Sequence, residues 1–137
     1  MTENITWKDF DTMTDAASII LSRKNYNRIV GLTRGGLAFG VKLSHKLGLP
    51  LIPLTWQTRD GHRDEEALLK ISKLGGRTLF VDDISDSGKT IYEIQKVMPG
   101  AEFCVLIEKP GEYENVAVKS VIKRPSDCAW IMFPWES

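Results

Sequence analysis

Short apolar runs alternate with stretches of helical periodicity along this chain, and that alternation constrains the fold more than any other feature. The apolar runs lie at about 29–32, 51–56, 77–81 and 103–107. The helical patterns lie at about 7–24, 37–47 and 89–97, the second with Leu37, Val41 and Leu47 on its buried side and Gly48 as its C-terminal cap. Strands that are apolar throughout and separated by helices belong in a parallel sheet covered on both faces. The sequence therefore predicts an α/β fold, with a mainly parallel central sheet flanked by helices.

The length of 137 residues, without a repeat or a linker, predicts one domain spanning 1–137. The 18 basic and 18 acidic side chains cancel, so no global field favours nucleic acid or a membrane surface. Any anion site must therefore be local. The pattern of the first residues and the absence of a long apolar run lead us to expect a cytoplasmic protein without a membrane span. Cys104 and Cys128 have no CxxC spacing, and we expect buried free thiols.

The segment 57–66 breaks the alternation. It is polar and charged, has Gly61 at its centre and shows no apolar periodicity. This composition predicts a mobile loop.

The strongest functional signal is the segment 79–90, where the most apolar strand runs into Asp82, Asp83 and Asp86. Ligands of open α/β sheets bind beyond the carboxyl ends of strands. The residues 87–90 place backbone N–H groups and hydroxyls at a helix N-terminus, where the helix dipole also favours an anion. The segment therefore predicts a phosphate site.

Two other interpretations of this segment are weaker. A Walker A loop needs a glycine where Asp83 stands, although Gly88-Lys89-Thr90 matches the end of that motif. A plain helix cap needs one Asp or Ser, not three carboxylates that repel one another. Carboxylates this close to a phosphate must face hydroxyls or a hard cation such as Mg²⁺, so the pattern favours a sugar phosphate.

The segment 81–90 resembles the ribose-phosphate signature of type I phosphoribosyltransferases. The segment 31–37 is similar to the pyrophosphate loop of the bacterial xanthine-guanine subfamily, and 107–110 and 130–136 are similar to its purine-binding segments. Ser87 stands where many members have Thr, and Glu136 where the best-known enzyme has Asp, so the functional groups are kept. The resemblance implies that subfamily's fold, in which a small C-terminal hood binds the purine.

The resemblance implies transfer of phosphoribose from 5-phosphoribosyl 1-pyrophosphate to a purine, with loss of pyrophosphate. Asp82 and Asp83 would accept hydrogen bonds from the ribose hydroxyls, and Asp83 would be the Mg²⁺ ligand. Arg34 and the neighbouring glycines would hold the pyrophosphate, after a cis peptide at Thr33-Arg34. Catalytic roles would fall to Asp82, Asp83, Asp86 and Arg34. The residues expected to contact the donor are Arg34, Gly35, Arg63, Asp82, Asp83, Ile84, Ser85, Asp86, Ser87, Gly88, Lys89 and Thr90.

The resemblance also implies a purine site. Asp86 would face N7 of the base and act as a general base while N9 attacks. Lys109 would donate to an exocyclic oxygen at position 6 and so select oxopurines over adenine. Trp130 would stack on the base, and the backbone of Ile131 would read the edge at position 2. For Trp135 we expect a core or interface role.

The loop at 57–66 offers three basic side chains that would close over the pyrophosphate, and Arg63 is preferred to Arg59 and His62. Two alternatives to an oxopurine enzyme stay open. A regulatory protein of this fold would sense the donor or a nucleotide while binding RNA or DNA, but the neutral charge and the lack of a basic stripe argue against it. A phosphoribosyltransferase for a pyrimidine or another base would leave Lys109 and the Trp130-Ile131 segment unexplained. Aromatic residues near the C-terminus favour a homo-oligomer, a dimer or a tetramer.

Overall fold

The computed structural model of the protein describes residues 1–57, 61–113 and 118–136. Strands and helices alternate through most of this part of the chain. In chain order the elements are β1 (Thr2–Asn4), α1 (Trp7–Leu21), β2 (Arg28–Thr33), α2 (Gly36–Leu47), β3 (Leu51–Gln57), β4 (His62–Arg63), α3 (Glu65–Ser72), β5 (Thr78–Ser85), α4 (Lys89–Val97), β6 (Glu102–Glu108), β7 (Val118–Lys123), β8 (Trp130–Met132) and a 3₁₀ turn (Pro134–Glu136).

Six strands form the central sheet, in the order β4-β3-β2-β5-β6-β7. Every neighbouring pair is parallel except β3 and β4. In the middle of the sheet, β2 pairs with β5 from Arg28↔Thr78 to Gly31↔Val81. The segments that follow these two strands therefore leave the same edge of the sheet. The predicted α/β fold with a mainly parallel sheet is confirmed.

The two faces of the sheet carry separate hydrophobic cores, because successive strand residues point to opposite faces. One core joins the strands to α1 and α2, and its residues include Phe10, Met13, Ala17, Leu21, Ile29, Phe39, Leu43, Leu79, Val81 and Leu106. The other joins the strands to α3 and α4, and its residues include Val30, Leu32, Leu68, Ile71, Phe80, Ile91, Ile94 and Phe103. Helices thus cover both faces, as the apolar strands predicted.

The helix ends follow local signals. Thr6 and Asp9 form a capping box at the start of α1: the Asp9 N–H donates to Thr6 Oγ1 (3.0 Å), and the Thr6 N–H donates to Asp9 Oδ2 (2.9 Å). The helix ends at Leu21, before the predicted end near Lys24, because residues 22–24 are polar and add nothing to the core. Gly48 ends α2 in the left-handed conformation (φ 66°), as predicted.

The buried face of α2 differs from the prediction. Val41 is 45% exposed, whereas Phe39 and Leu43 are fully buried. Gly36 accounts for the difference, because a Cβ there would lie 2.4 Å from the carbonyl oxygen of Val81. The helix approaches the sheet through this glycine, and glycine adds nothing to an apolar pattern.

The prediction of a loop over 57–66 is wrong for much of that segment. β3 runs to Gln57, and His62–Arg63 pairs with its end as an antiparallel hairpin. Asp64 then caps α3, which begins at Glu65. Polar strands and a cap carry no apolar periodicity, so the pattern missed them. Arg59 lies outside the described residues.

Beside the main sheet, β1 and β8 form a small parallel sheet in which Glu3 is opposite Ile131. Arg124 Nη2 contacts Glu3 Oε2 at 3.0 Å and adds a second link between the two ends of the described chain. Cys104 is buried as predicted, Cys128 is only partly buried, and both are free. None of the described helices is long and apolar enough to cross a membrane.

Candidate active site

A cleft of about 1190 Å³ opens at the carboxyl ends of the central strands, where ligands of such sheets bind. Its walls bring together most of the residues singled out from the sequence. They are Arg34, Gly35, Asp82, Asp83, Ile84, Ser85, Asp86, Ser87, Gly88, Lys89, Thr90, Lys109, Trp130 and Ile131. Arg63, which was also predicted to contact the phosphoribosyl donor, is not part of this lining.

Asp82 and Asp83 lie near the end of β5, in the cleft. The N–H of Asp83 donates to Asp82 Oδ1 (2.9 Å), and the N–H of Ile84 donates to Asp83 Oδ1 (2.8 Å). Strand pairing of Asp82 opposite Val105 holds the backbone in place. The two carboxyl groups are therefore held in defined orientations before any ligand binds.

Burial raises the pKa of both carboxyl groups above the usual range of aspartate. For Asp82 burial is the largest cause, and the negative charge of Asp83 adds to it. For Asp83 burial is again the largest cause, and the carboxylate of Glu136 raises its pKa further. Hydroxyl donors or a cation would relieve this cost, whereas a bare phosphate would increase it. The pair is therefore suited to the hydroxyl side of a sugar phosphate.

The phosphate loop, residues 86–88, turns from β5 into α4. Gly88 has a φ of 83°, a conformation that glycine adopts without steric cost. The N–H of Lys89 donates to Ser87 Oγ (3.2 Å). No side chain at Gly88 caps the helix, and the positive end of the helix dipole faces the cleft, where it favours an anion.

A second loop, residues 33–36, follows β2 and forms another wall of the cleft. Its Thr33-Arg34 peptide bond is cis, as the family resemblance implied. A Cβ at Gly35 would lie 2.3 Å from Asp83 Oδ2, so glycine lets the loop backbone touch that carboxylate. The side chain of Arg34 is exposed, and Thr33 Oγ1 is buried without a hydrogen-bond partner among the described residues. This loop offers a cation and close backbone approach to a ligand on the acidic pair.

Lys109 follows β6 and lies beside the phosphate loop. Its N–H donates to the carbonyl oxygen of Ser85 (2.8 Å), and its Nζ lies 3.5 Å from Asp86 Oδ1. The side chain of Lys109 is 13% exposed, against 62% for Asp86. A donor and an acceptor are thus adjacent in the cleft.

The C-terminal segment forms the hood of the cleft. Trp130 is 55% exposed, and Ile131 next to it is buried. Trp135 packs at 5.2 Å and 79° against Phe10 and stacks at 5.0 Å on Phe133. Trp130 therefore offers a free ring face, while Trp135 belongs mainly to the core, although it also reaches the cleft.

Arg63 is held away from the cleft lining by Glu93 of α4. Arg63 Nε donates to Glu93 Oε1 (2.9 Å), and Trp56 Nε1 donates to the same oxygen (3.1 Å). In this conformation Arg63 links the paired strands β3 and β4 to α4, the helix that follows the phosphate loop.

Trp56 and Gln57 also line the cleft, although no motif in the sequence marked them. They follow Thr55, which is opposite Thr33 in the sheet, so they lie at the same strand-end edge as the second loop. The rule on strand ends would have found them. Glu136 lines the cleft too, and it accepts a hydrogen bond from the Phe133 N–H (2.9 Å).

Taken together, the fold and the cleft define a class. The end of a central parallel strand carries an acidic pair and leads into a phosphate loop, and a glycine-containing loop from the adjacent strand faces them. These are features of α/β proteins that bind sugar phosphates. A model of the phosphoribosyl transferase domain matches residues 8–136. The protein belongs to this family.

Named relatives narrow the comparison. The chain is 27% identical over 138 residues to a xanthine-guanine phosphoribosyltransferase of Nitratidesulfovibrio vulgaris strain Hildenborough, covering 97% of this chain and 83% of that protein. The structure is similar to purine phosphoribosyltransferase from Pyrococcus horikoshii OT3, with a TM-score of 0.74, 28% identity and coverage of 99% and 95%. It also matches a hypothetical protein from Neisseria gonorrhoeae with bound ppGpp (TM-score 0.75, coverage 100% and 91%), which at 19% identity shows the fold alone. The resemblance to the bacterial xanthine-guanine group is confirmed.

Proposed function

We propose that this protein is an enzyme that transfers phosphoribose from 5-phosphoribosyl 1-pyrophosphate to a 6-oxopurine: guanine, hypoxanthine or xanthine. The products are the nucleoside monophosphate and pyrophosphate. The observation that carries the proposal is that one cleft holds the Asp82–Asp83 pair, the phosphate loop, the 33–36 loop and Lys109 with Trp130. The named relatives support an enzyme, and a purine as acceptor, over a regulatory protein of the same fold.

The donor is bound by three groups in this proposal. Asp82 and Asp83 accept hydrogen bonds from the two ribose hydroxyls, which meet the need of buried carboxyls for donors. The residues 84–90 surround the 5′-phosphate with N–H groups and hydroxyls. Arg34 and the backbone of Gly35 bind the pyrophosphate, since no side chain at 35 blocks the approach.

Mg²⁺ is the proposed cofactor. No group of three or more His, Cys, Asp or Glu side chains within 1–57, 61–113 and 118–136 forms a cage for a metal. That suits Mg²⁺, which usually keeps several waters and binds one or two carboxylates together with substrate phosphates. The raised pKa values of the acidic pair are relieved by a cation, and Asp83 would hold it directly or through water. When bound, the ion stabilises charge on the departing pyrophosphate.

Asp86 and Arg34 carry the chemical step in this proposal. N9 of the purine forms the bond to the anomeric carbon of the ribose while the bond from that carbon to the pyrophosphate oxygen breaks. Asp86, exposed in the cleft, takes the purine proton or the hydrogen bond at N7 as N9 attacks. Arg34, which lines the same cleft, stabilises in this proposal the negative charge that develops on pyrophosphate.

In this proposal the purine base, which accepts the phosphoribosyl group, is selected by residues of the cleft that do not bind the phosphoribosyl donor. Lys109 donates to the oxygen at purine position 6, Trp130 stacks on the ring, and the backbone of Ile131 faces position 2. Adenine presents an amino donor to the same ammonium, so it is rejected.

We also propose a homo-oligomer, a dimer or a tetramer. Trp7 of α1 and Val41 of α2, which are 57% and 45% exposed, line one groove, and a second copy of the chain would cover this apolar surface. Light scattering on the purified chain tests this. The cytoplasmic location expected from the sequence stays a prediction.

The proposed activity is tested by pyrophosphate release. Purified protein is mixed with the donor, Mg²⁺ and one oxopurine, and released pyrophosphate and nucleotide are quantified. Equal amounts of both products, abolished by excess chelator and restored by Mg²⁺, are expected. No release with any oxopurine would contradict the proposed reaction. Full activity in chelator would contradict the proposed requirement for Mg²⁺.

A further inference from the structure

The segment 109–113 lies against the phosphate loop, which it touches through its backbone. At one end, the N–H of Lys109 donates to the carbonyl oxygen of Ser85 (2.8 Å). At the other end, the N–H of Tyr113 donates to the carbonyl oxygen of Ser87 (3.1 Å). Both ends of the 109–113 segment are therefore attached to the chain that surrounds the proposed 5′-phosphate.

Gly111, in the middle of this segment, is pressed onto the loop. A Cβ at Gly111 would lie 2.3 Å from the oxygen and 2.4 Å from the carbon of the Ser87 carbonyl, and 2.5 Å from the carbonyl oxygen of Asp86. These are backbone atoms, which cannot rotate aside as the end of a flexible side chain can. Any side chain at 111 must separate the segment from the loop by about 1 Å before the contact becomes ordinary.

The same segment also contacts α4. The ring of Tyr113 lies 4.9 Å from the ring of Tyr92, at 41°, and Tyr92 is in the first turn of that helix. The segment is thus packed against both parts of the phosphate site, the loop and the helix that follows it.

Lys109 is the first residue of this segment, and its Nζ lies 3.5 Å from Asp86 Oδ1. Its side chain is mostly buried, so it has little freedom to compensate for a shift of its backbone. If the segment moves away from the loop, Lys109, which is proposed to donate a hydrogen bond to the purine, therefore moves relative to the phosphate loop.

We propose that Gly111 is a positioning residue for both substrates: its missing side chain lets the 109–113 segment touch the phosphate loop, which sets Lys109 for the purine and the loop for the 5′-phosphate. This inference rests on the proposed function. A misplacement of about 1 Å lowers the rate of an enzyme by as much as ~10²-fold. Gly111→Ala is expected to have an effect of that order on kcat/KM for an oxopurine.

The test compares Gly111→Ala with Gly100→Ala, a matched control because a Cβ at Gly100 meets nothing within 4 Å. Two quantities are measured for each variant: the Kd of the phosphoribosyl donor with Mg²⁺, by calorimetry, and the ratio of kcat/KM for hypoxanthine to that for adenine. Gly111→Ala is expected to weaken donor binding ~10-fold and to lower the ratio by a similar factor, in a protein that is somewhat less stable but still folded at the assay temperature. A merely structural defect lowers both kcat/KM values together and leaves their ratio unchanged. Gly100→Ala is expected to match the wild type.

Wild-type donor affinity and a wild-type ratio in folded Gly111→Ala would overturn the proposal. If that variant does not fold, Tyr113→Ala tests whether the position of the 109–113 segment sets the phosphate site, because it removes the ring contact with Tyr92 and keeps the backbone N–H. A fall in the affinity for the phosphoribosyl donor supports the proposal, and unchanged affinity overturns it. Calorimetry reads donor binding without turnover. A wild-type protein that binds the donor but makes no nucleotide would contradict the proposed function and still leave the role of Gly111 in donor binding testable.

Discussion

Lys109 Nζ lies 3.5 Å from Asp86 Oδ1, so the residue proposed to select the purine is paired with the residue proposed to receive its proton. The ammonium is largely buried and the carboxylate is exposed to the cleft. O6 and N7 are neighbours on a 6-oxopurine, and the pair offers a donor and an acceptor side by side. Recognition of the acceptor and the chemical step thus share one contact.

Asp86→Asn should lower kcat roughly 10²- to 10⁴-fold, because an amide can hydrogen-bond to the base but cannot take its proton. The KM for the phosphoribosyl donor should change much less. Steady-state kinetics with the donor varied at saturating hypoxanthine gives both values. An unchanged kcat would mean that Asp86 only shapes the loop.

Lys109→Met should lower the preference for hypoxanthine over adenine, because it removes the donor to position 6 while keeping most of the side-chain volume. We expect a loss of selectivity of about 10- to 100-fold, as for loss of a hydrogen bond to a charged group. Lys73→Met, at an exposed position directly after α3 and outside the lining of the cleft, is the control. Unchanged selectivity in Lys109→Met would place the purine elsewhere.

Asp82→Asn should stabilise the protein in the absence of ligand. Folding raises the pKa of Asp82, so between its unfolded and folded values the folded state binds more protons, and stability falls as pH rises through that window. In chelator at about pH 7, we expect a Tm higher by about 3 °C, on the order of 1 kcal/mol. The gain should disappear near pH 3, where Asp82 is protonated in both states.

Asp127→Asn, at an exposed carboxylate, is the control for this measurement. A lower Tm for Asp82→Asn at neutral pH, or a gain that persists in acid, would contradict the assigned cause.

Arg34→Ala should raise the KM for the phosphoribosyl donor roughly 10- to 100-fold and also slow turnover, because it removes a charge-assisted contact to pyrophosphate. Arg23→Ala, an exposed arginine after α1, should have wild-type kinetics. Normal kinetics for Arg34→Ala would move the pyrophosphate site away from the 33–36 loop.

Glu93→Ala should destabilise the protein by about 1–3 kcal/mol, because it leaves the buried Trp56 Nε1–H without its acceptor. Glu93→Gln keeps an acceptor for the indole and loses only the charge opposite Arg63, so its cost should be smaller. Urea unfolding of both variants measures the difference. If both variants lose the same free energy of unfolding, the hydrogen bond from the Trp56 indole is not the main contribution of Glu93 to stability.

Local signals predicted much of this molecule. Helix α4 has the predicted bounds, since Gly88 and the apolar positions Ile91 and Ile94 mark its start and face. The cluster of Asp82, Asp83 and the phosphate loop was predictable because all of it lies in the last residues of β5 and the turn directly after it. Its neighbours in sequence are also its neighbours in space.

Contacts between distant segments were beyond such signals. The Arg63–Glu93 ion pair joins a hairpin to a helix 30 residues away, and nothing in the polar segment 57–66 indicates that partner. The pairing of Glu3 with Ile131 likewise depends on the two ends of the described chain meeting in space. Tertiary packing, not local propensity, decides these positions.

The central claim is tested most directly by a competition among guanine, hypoxanthine, xanthine and adenine at equal concentrations, with 5-phosphoribosyl 1-pyrophosphate and Mg²⁺, followed by chromatographic identification of the nucleotides. We predict nucleotides of the oxopurines, with guanine or hypoxanthine preferred because the acidity of xanthine is disfavoured near Glu136. Adenine should be rejected by a factor of up to ~10⁴, the discrimination that a buried hydrogen-bonding site reaches. Adenine nucleotide as the main product would contradict the role of Lys109, and no nucleotide from any of the four bases would contradict the proposed reaction itself.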